Sequence, residues 1–135
     1  MYKVANGKLL YHGCIPVNED GSLQEVDLFG KKCKGRELLD QLEMHVRRAY
    51  HAENPDSVDL LWYLWCGAAS PLFGKDRMTS FERYFIQNKE LQKENMNPYY
   101  KHYDDPEFCK ALMEEFGLDP KHSHIINGHV PVKHG

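Results

Sequence analysis

The sequence predicts an α+β fold in which a helix-rich segment is flanked by short strands. Apolar residues recur at helical spacing through residues 36–52, and short apolar runs of strand length lie near both ends of the chain. The length of 135 residues suits one domain, and 41% hydrophobic with 27% charged residues is the balance of a globular protein. We therefore expect a single domain over residues 1–135.

The first part of the chain begins with predicted strands and leads into a long helix. Residues 8–11 form an apolar run, and residues 24–29 alternate apolar and polar side chains, so each stretch predicts a strand. Residues 30–35 are basic and bounded by glycines, which favours a loop. The periodicity then predicts an amphipathic helix over 36–52, which ends before Pro55 because the residue preceding a proline disfavours helix.

The second part predicts further helices followed by a strand. Residues 58–67 are apolar enough for a helix that is buried on most sides, and the capping-box pattern of residues 79–82 predicts a helix to about residue 87. Asp105 and a following proline predict another helix, which Gly117 ends. Residues 123–127 predict a buried strand. The aromatic side chains that we assign to the core are Trp62, Trp65, Tyr99 and Tyr100.

Charge and composition exclude several classes of protein. The 17 Lys and Arg residues are outnumbered by 20 Asp and Glu, so the chain lacks the basic excess of a general nucleic-acid or membrane-surface binder. No stretch approaches the length of a transmembrane helix, and the N-terminus does not resemble a signal peptide. The cysteines form no CxxC pair, which is typical of reduced thiols. We expect a cytoplasmic protein with neither nucleic acid nor membrane as a partner.

Two histidines follow predicted strands and adjoin glycines. His12 follows residues 8–11 and precedes a glycine, whereas His129 follows Asn127-Gly128. Ligands collect at the carboxyl ends of strands in α/β layers, so each histidine is placed to bind a metal or act as a base. The alternatives are that His12 is an ordinary turn residue and that Asn127-Gly128 forms a hairpin. Because two strands share the same ending, we expect both histidines to meet at one site.

Two further patterns allow both a chemical and a plain interpretation. The loop over residues 74–80 is basic and leads into a helix N-terminus, so Arg77 could hold a phosphate through two hydrogen bonds. The alternative is a solvated surface charge. His122 and His124 have the spacing of two ligands on one face of a strand, but no carboxylate lies nearby in sequence, so a structural role is favoured.

The order of these motifs resembles that of a known superfamily. It runs from the histidine-glycine at position 12, through Leu60-Leu61-Trp62 and Asp76-Arg77, to the glycine-histidine at position 129. The second half of calcineurin-like metallophosphoesterases is similar. The stretches YHGCIPVNEDG, LLWYLWCGAASPLFGKDRMTSFERYF and INGHVPVK look closer still to the class III fructose-1,6-bisphosphatases of bacteria. This resemblance covers nearly the whole chain.

The resemblance implies a metal centre and a substrate. His12 and His129 would ligate one metal of a binuclear centre of divalent cations, with manganese as the expected metal. Arg77 would hold the phosphate of fructose 1,6-bisphosphate, whose 1-phosphate is removed in gluconeogenesis. The implied fold is part of a metallophosphoesterase α/β sandwich. The implied partners are the sugar bisphosphate and the missing N-terminal part of the same protein.

The departures from the family pattern concern its first half. The D-x-H, GD-x-x-D-R and GNH motifs are not found here, and Cys14 replaces the second glycine of the phosphoprotein-phosphatase HGG motif. Residues 130–135 resemble a strand that is cut off soon after it begins. We therefore expect a C-terminal fragment of the catalytic region that is inactive alone. Part of a phosphoprotein phosphatase and a non-catalytic helical interaction module remain as alternatives.

Overall fold

The structure is a computed structural model that describes residues 1–51 and 55–130. These residues form a mixed α+β fold, as the sequence predicts. The strands are β1 (Tyr2–Ala5), β2 (Lys8–Tyr11), β3 (Val26–Leu28), β4 (Lys31–Cys33) and β5 (His124–Asn127). The helices are α1 (Gly35–His51), α2 (Pro55–Cys66), α3 (Ser80–Phe85), α4 (Tyr99–His102) and α5 (Pro106–Glu115), with a 3₁₀ helix at Lys89–Gln92.

A three-stranded sheet in the order β1-β2-β5 sets the frame for the site. β2 lies in the middle, where it pairs antiparallel with β1 and parallel with β5. The register places Tyr11 opposite Asn127 at the last pair of the parallel ladder. Because parallel strands end at the same edge of a sheet, the residues that follow β2 and β5 emerge side by side.

One face of this sheet packs against the C-terminal helices. Its buried cluster includes residues of β2, of α4 and of α5 with the residue that follows it: Leu9, Tyr11, Tyr99, Leu112 and Phe116. The α5 helix has the predicted ends: the Asp105 carboxylate accepts a hydrogen bond from the Glu107 N–H, and Gly117 has a φ of +73°. The predicted assignment of Tyr99 to the core is confirmed, since its side chain is 2% exposed.

A second cluster joins the β3–β4 hairpin to α1 and α2. Its buried members are Leu28, Cys33, Leu38, Leu42, Leu60 and Leu64. The predicted loop over 30–35 is wrong in part, because residues 31–33 form β4 and pair antiparallel with β3. Phe29 and Gly30 make the turn with φ values of +54° and +81°, and the Asp27 carboxylate accepts a hydrogen bond from the Gly30 N–H.

Several details of the helices and of β5 differ from prediction. α2 is not buried on most sides, and the core assignment of Trp62 and Trp65 is wrong because both indoles are more than half exposed. The Thr79 hydroxyl does not cap α3, which ends at residue 85 rather than 87. β5 is an edge strand with mostly exposed side chains.

Two predictions extend beyond the described residues. Position 52, the last residue of the predicted helix over 36–52, lies outside them, and so do positions 131–135 of the predicted strand over 130–135. Within the ranges that the structure describes, no helix is long and apolar enough to cross a membrane.

Candidate metal centre

The structure brings His12 and His129 together at the edge of the sheet. The Nε2 atom of His12 lies 3.1 Å from the Nδ1 atom of His129, although the residues are 117 positions apart in sequence. The two rings meet edge to face, with centroids 5.0 Å apart. This confirms the expectation that the two histidines come together at adjacent strand ends. The structure shows β5 paired with β2, and the second strand that the hairpin alternative requires would fall largely at positions 131–135, outside the described residues.

A glycine makes the turn that follows His12. Gly13 has a φ of +79°, and a Cβ atom built on it would lie 2.1 Å from the carbonyl oxygen of Pro71. The next residue, Cys14, donates its backbone N–H to this same carbonyl over 2.9 Å. The close approach of two buried backbone segments therefore requires a residue without a side chain at position 13. The turn leaves the His12 side chain exposed.

A hydrogen-bonded network lies behind the two histidines. The Nδ2 atom of Asn127 donates to the Gly13 carbonyl over 3.3 Å and to the Tyr99 hydroxyl over 3.0 Å. The hydroxyls of Tyr11 and Tyr99 are 2.5 Å apart. Burial raises the pKa of Tyr99 to about 12, and burial also raises the pKa of Tyr11. Both hydroxyls therefore stay protonated at neutral pH.

An apolar cavity of about 560 Å³ opens beside the histidine pair. His12 and His129 form part of its wall, and the remaining wall comes from the N-terminal residue, α1, α2 and the segment between α2 and α3. These lining residues are Met1, Val46, Leu61, Leu64, Trp65, Leu72, Phe73 and Met78. Most of the wall is therefore formed by apolar side chains, with the two imidazoles at its edge.

The paired imidazoles fit two ligands of one cation. Nitrogen ligands about 2.1 Å from a metal lie about 3 Å apart when the bond angle is near 90°, and the two facing nitrogens here are separated by 3.1 Å. Neutral imidazole suits borderline cations such as iron and zinc. Among the described residues, no group of three or more His, Cys, Asp or Glu side chains could hold a metal. The pair would therefore need further ligands to complete a catalytic metal centre, which usually has three or more from the protein.

Arg77 is the exposed residue of a half-buried loop, residues 74–79, near the same cavity. Its Nε atom is 3.7 Å from the Asp76 carboxylate, and its side chain is 54% exposed. Asp76 is itself fixed by Asn95, which donates its backbone N–H over 2.8 Å and its side-chain amide over 2.7 Å. Partial burial raises the pKa of Asp76, but the hydrogen bonds from Asn95 and the charge of Arg77 outweigh this effect. The pKa of Asp76 is therefore lowered overall. Met78 lines the cavity whereas Arg77 does not, so the structure brings the loop, but not the guanidinium, to its wall.

Glu94 holds this loop in a way that sequence reasoning missed. Its carboxylate accepts from the Lys75 ammonium over 2.7 Å and from the Thr79 N–H and hydroxyl over 2.9 and 3.0 Å. The hydrogen bond from Lys75, followed by those from Thr79, lowers the pKa of Glu94 to about 2. This is why Thr79 does not cap α3: its hydroxyl is turned toward residues 92 and 94. A partner 15 positions away leaves no local sequence signal.

The other candidate pair, His122 and His124, forms no centre of this kind. Both side chains are exposed, and the backbone N–H of His124 donates to the Gly7 carbonyl over 3.0 Å. In the part of the chain that the structure describes, no third potential ligand joins them.

Comparison with known proteins gives a consistent result. The family model for Firmicute fructose-1,6-bisphosphatase matches residues 1–135. A protein of Clostridium botulinum strain Hall, named fructose-1,6-bisphosphatase class 3, is 54% identical over 138 residues, which cover 98% of this chain and 21% of that protein. A Clostridium beijerinckii protein named fructose-1,6-bisphosphatase class 3 1 is 53% identical over 137 residues, with the same coverage. The chain thus spans about a fifth of the length of these relatives. No solved structure matches it.

Proposed function

Because the chain belongs to the Firmicute fructose-1,6-bisphosphatase family, we propose that it is part of a metal-dependent phosphatase that removes the 1-phosphate of fructose 1,6-bisphosphate. The observation that carries this proposal is the 3.1 Å approach of the His12 and His129 nitrogens at the ends of adjacent parallel strands. The curated relatives that share 54% identity bear the name of this activity. The proposed setting is gluconeogenesis in the cytoplasm.

The proposed role of the two histidines is to hold one divalent cation through neutral imidazole nitrogens. Manganese is the proposed metal, in a centre of two cations. A bound divalent cation supplies Lewis-acid polarisation of the phosphoryl group. The turn at Gly13 exposes the His12 ring, and the network behind the sheet edge holds its backbone.

Arg77 is proposed to bind the substrate phosphate. Its side chain is more than half exposed, and its ion pair with Asp76 is long at 3.7 Å, so the guanidinium is available to an anion. A guanidinium forms two parallel hydrogen bonds to phosphate oxygens, which stabilise the charge that develops there in the transition state. The anchored loop brings Met78 to the wall of the cavity beside the histidines, which places position 77 near that wall.

The rest of the centre is proposed to come from further sequence of the same protein. The described residues offer two ligands and no cluster of three, whereas the relatives are about five times as long as the matched segment. We place this chain in the C-terminal portion of the catalytic region, as part of a metallophosphoesterase α/β sandwich. The partner that completes it is the preceding part of that polypeptide.

A chimaeric enzyme tests this proposal. The segment of the Clostridium botulinum protein that matches this chain would be replaced by residues 1–135, and hydrolysis of fructose 1,6-bisphosphate would be measured with Mn²⁺. We expect activity in the chimaera and its loss in the His12→Ala and His129→Ala variants. His122→Ala is the matched control, since it removes an exposed histidine outside the pair and should leave activity unchanged.

The chimaera and the isolated chain together separate the alternatives. A folded chimaera that hydrolyses phosphopeptides but not the sugar bisphosphate would identify a phosphoprotein phosphatase instead. Full activity without the two imidazoles would remove them from the metal centre. A helical interaction module predicts that the isolated chain shows no divalent-metal binding that depends on His12 and His129.

A further inference from the structure

The side chains of His12 and His129 are exposed, so side-chain packing does not fix their relative position. His129 also lies beyond the last ladder pair of β5 and has a φ of +75°, a conformation that non-glycine residues rarely adopt. Some other contact must hold the two turns in register for the nitrogens to remain 3.1 Å apart.

The amide of Asn127 makes this connection. It belongs to the end of β5, two positions before His129, and it reaches the carbonyl of Gly13, directly after His12. Since a carbonyl can only accept, the amide nitrogen must face Gly13, and its second hydrogen is directed to the Tyr99 hydroxyl. Both hydrogens of one NH₂ group are thus used, which fixes the orientation of the amide.

Tyr99 gives the amide a rigid support. Its ring is buried, and its hydroxyl also contacts the hydroxyl of Tyr11, the residue directly before His12. The Asn97 side chain accepts the backbone N–H of Tyr99 over 3.0 Å and that of Val17 over 3.3 Å. The start of α4 is therefore tied to the segment that follows the His12 turn.

We propose that Asn127 and Tyr99 are positioning residues that hold His12 and His129 in the mutual orientation of a metal-binding pair. The network contacts the residues on both sides of His12 and the strand that leads to His129, but neither imidazole. Residues that orient ligands in this way affect metal affinity without touching the metal. The inference rests on the proposed function only for its metal readout, because the orientation itself is a property of the free protein.

NMR spectroscopy of the 135-residue chain tests the orientation directly. We expect a nuclear Overhauser effect between the ring protons of His12 and His129 in the wild-type chain, and its loss in Asn127→Ala and in Tyr99→Phe. Asn95→Ala is the matched control, because it removes an exposed side-chain amide that donates to Asp76 over 2.7 Å. The control should keep the signal and should have a thermal unfolding temperature similar to that of Asn127→Ala.

Ni²⁺ binding provides the second readout, since imidazole binds Ni²⁺ more tightly than Mn²⁺. The histidine-dependent Ni²⁺ binding is defined as the part that a His12→Ala, His129→Ala double variant loses. Its affinity should fall about 10-fold in Asn127→Ala and remain unchanged in Asn95→Ala. An undiminished ring-to-ring signal in Asn127→Ala and Tyr99→Phe would overturn the inference. If Asn127→Ala does not fold, Tyr99→Phe decides alone, because it retains the buried ring. Wild-type Ni²⁺ binding that does not depend on the two histidines would count against the proposed function, while the NMR signal would still decide the orientation.

Discussion

Replacing Gly13 by alanine should disrupt the turn that carries His12. The new Cβ atom would lie 2.1 Å from the Pro71 carbonyl oxygen, a backbone atom that cannot swing aside as a flexible side chain could. The two backbone segments must then separate, which breaks the 2.9 Å hydrogen bond from the Cys14 N–H to Pro71. Both of these residues are fully buried, so water does not readily replace the lost bond.

The expected cost follows from two contributions. Holding a non-glycine residue at a φ of +79° costs about 1–2 kcal/mol of the free energy of unfolding. Leaving buried backbone groups without a partner adds about 1–3 kcal/mol. The sum is about 2–5 kcal/mol, which for a domain of this size lowers the unfolding temperature by roughly 6–20 °C.

Thermal unfolding followed by circular dichroism measures this change, with Gly30→Ala as the matched control. Gly30 has nearly the same φ, +81°, but no atom of the described residues lies within 4 Å of the point that its Cβ would occupy, so its substitution incurs only the conformational cost of about 1–2 kcal/mol. If Gly13→Ala were no more destabilising than Gly30→Ala, the close approach of Pro71 would not be what requires glycine at position 13.

Three further predictions concern charge and activity. Glu94→Gln should lower the stability of the 135-residue chain at pH 7 by about 1.5–3 kcal/mol, the scale of hydrogen bonds to a charged group. The folded-state pKa of Glu94 is lowered from 4.5 to about 2, so its contribution to stability is present above pH 4.5 and is lost as the pH falls toward 2. The free energies of unfolding of wild type and variant, measured by denaturant titration, should therefore converge near pH 2. Arg77→Lys in the chimaera should keep the fold and the metal but lower kcat/KM for fructose 1,6-bisphosphate about 10- to 1,000-fold, and wild-type kinetics would remove Arg77 from phosphate binding. The isolated chain should show no phosphatase activity with saturating Mn²⁺, because its described residues provide two ligands; turnover that disappears in a His12→Ala, His129→Ala variant would show that the chain completes its own centre.

The sequence predicted the elements whose pattern is local and strong. The helical periodicity of α1 and the Asp105 cap and Gly117 stop of α5 all lie within a few residues of the structure they specify. The meeting of His12 and His129 could also be predicted, because two apolar strands ended in the same way. What the pattern could not provide was the network behind them, since Asn127 and Tyr99 are brought together by tertiary packing.

The wrong expectations have physical causes that can be named. β4 was missed because Lys31 and Lys32 are exposed and polar, so its sequence lacks the apolar alternation of a half-buried strand. Trp62 and Trp65 were assigned to the core because large aromatic residues usually are, whereas α2 buries Leu60 and Leu64 on one side only. The apolar character of Trp62 and Trp65 suits them to burial, but the described residues leave both indoles exposed.

The parallel pairing of β2 with β5 also leads us to expect a particular order of folding. The histidine pair joins residues 117 positions apart, so almost the entire chain lies in the loop that this contact closes. Closing a loop of that length costs roughly 4 kcal/mol of chain entropy, whereas the β3–β4 hairpin and the α1–α2 contacts close short loops. Such long-range pairing forms slowly, so we expect β5 to dock after the cluster of α1, α2 and the β3–β4 hairpin has formed. Pulse-labelling hydrogen exchange would then show late protection of β5, and the meeting of His12 and His129 would be one of the last events in the folding of the chain.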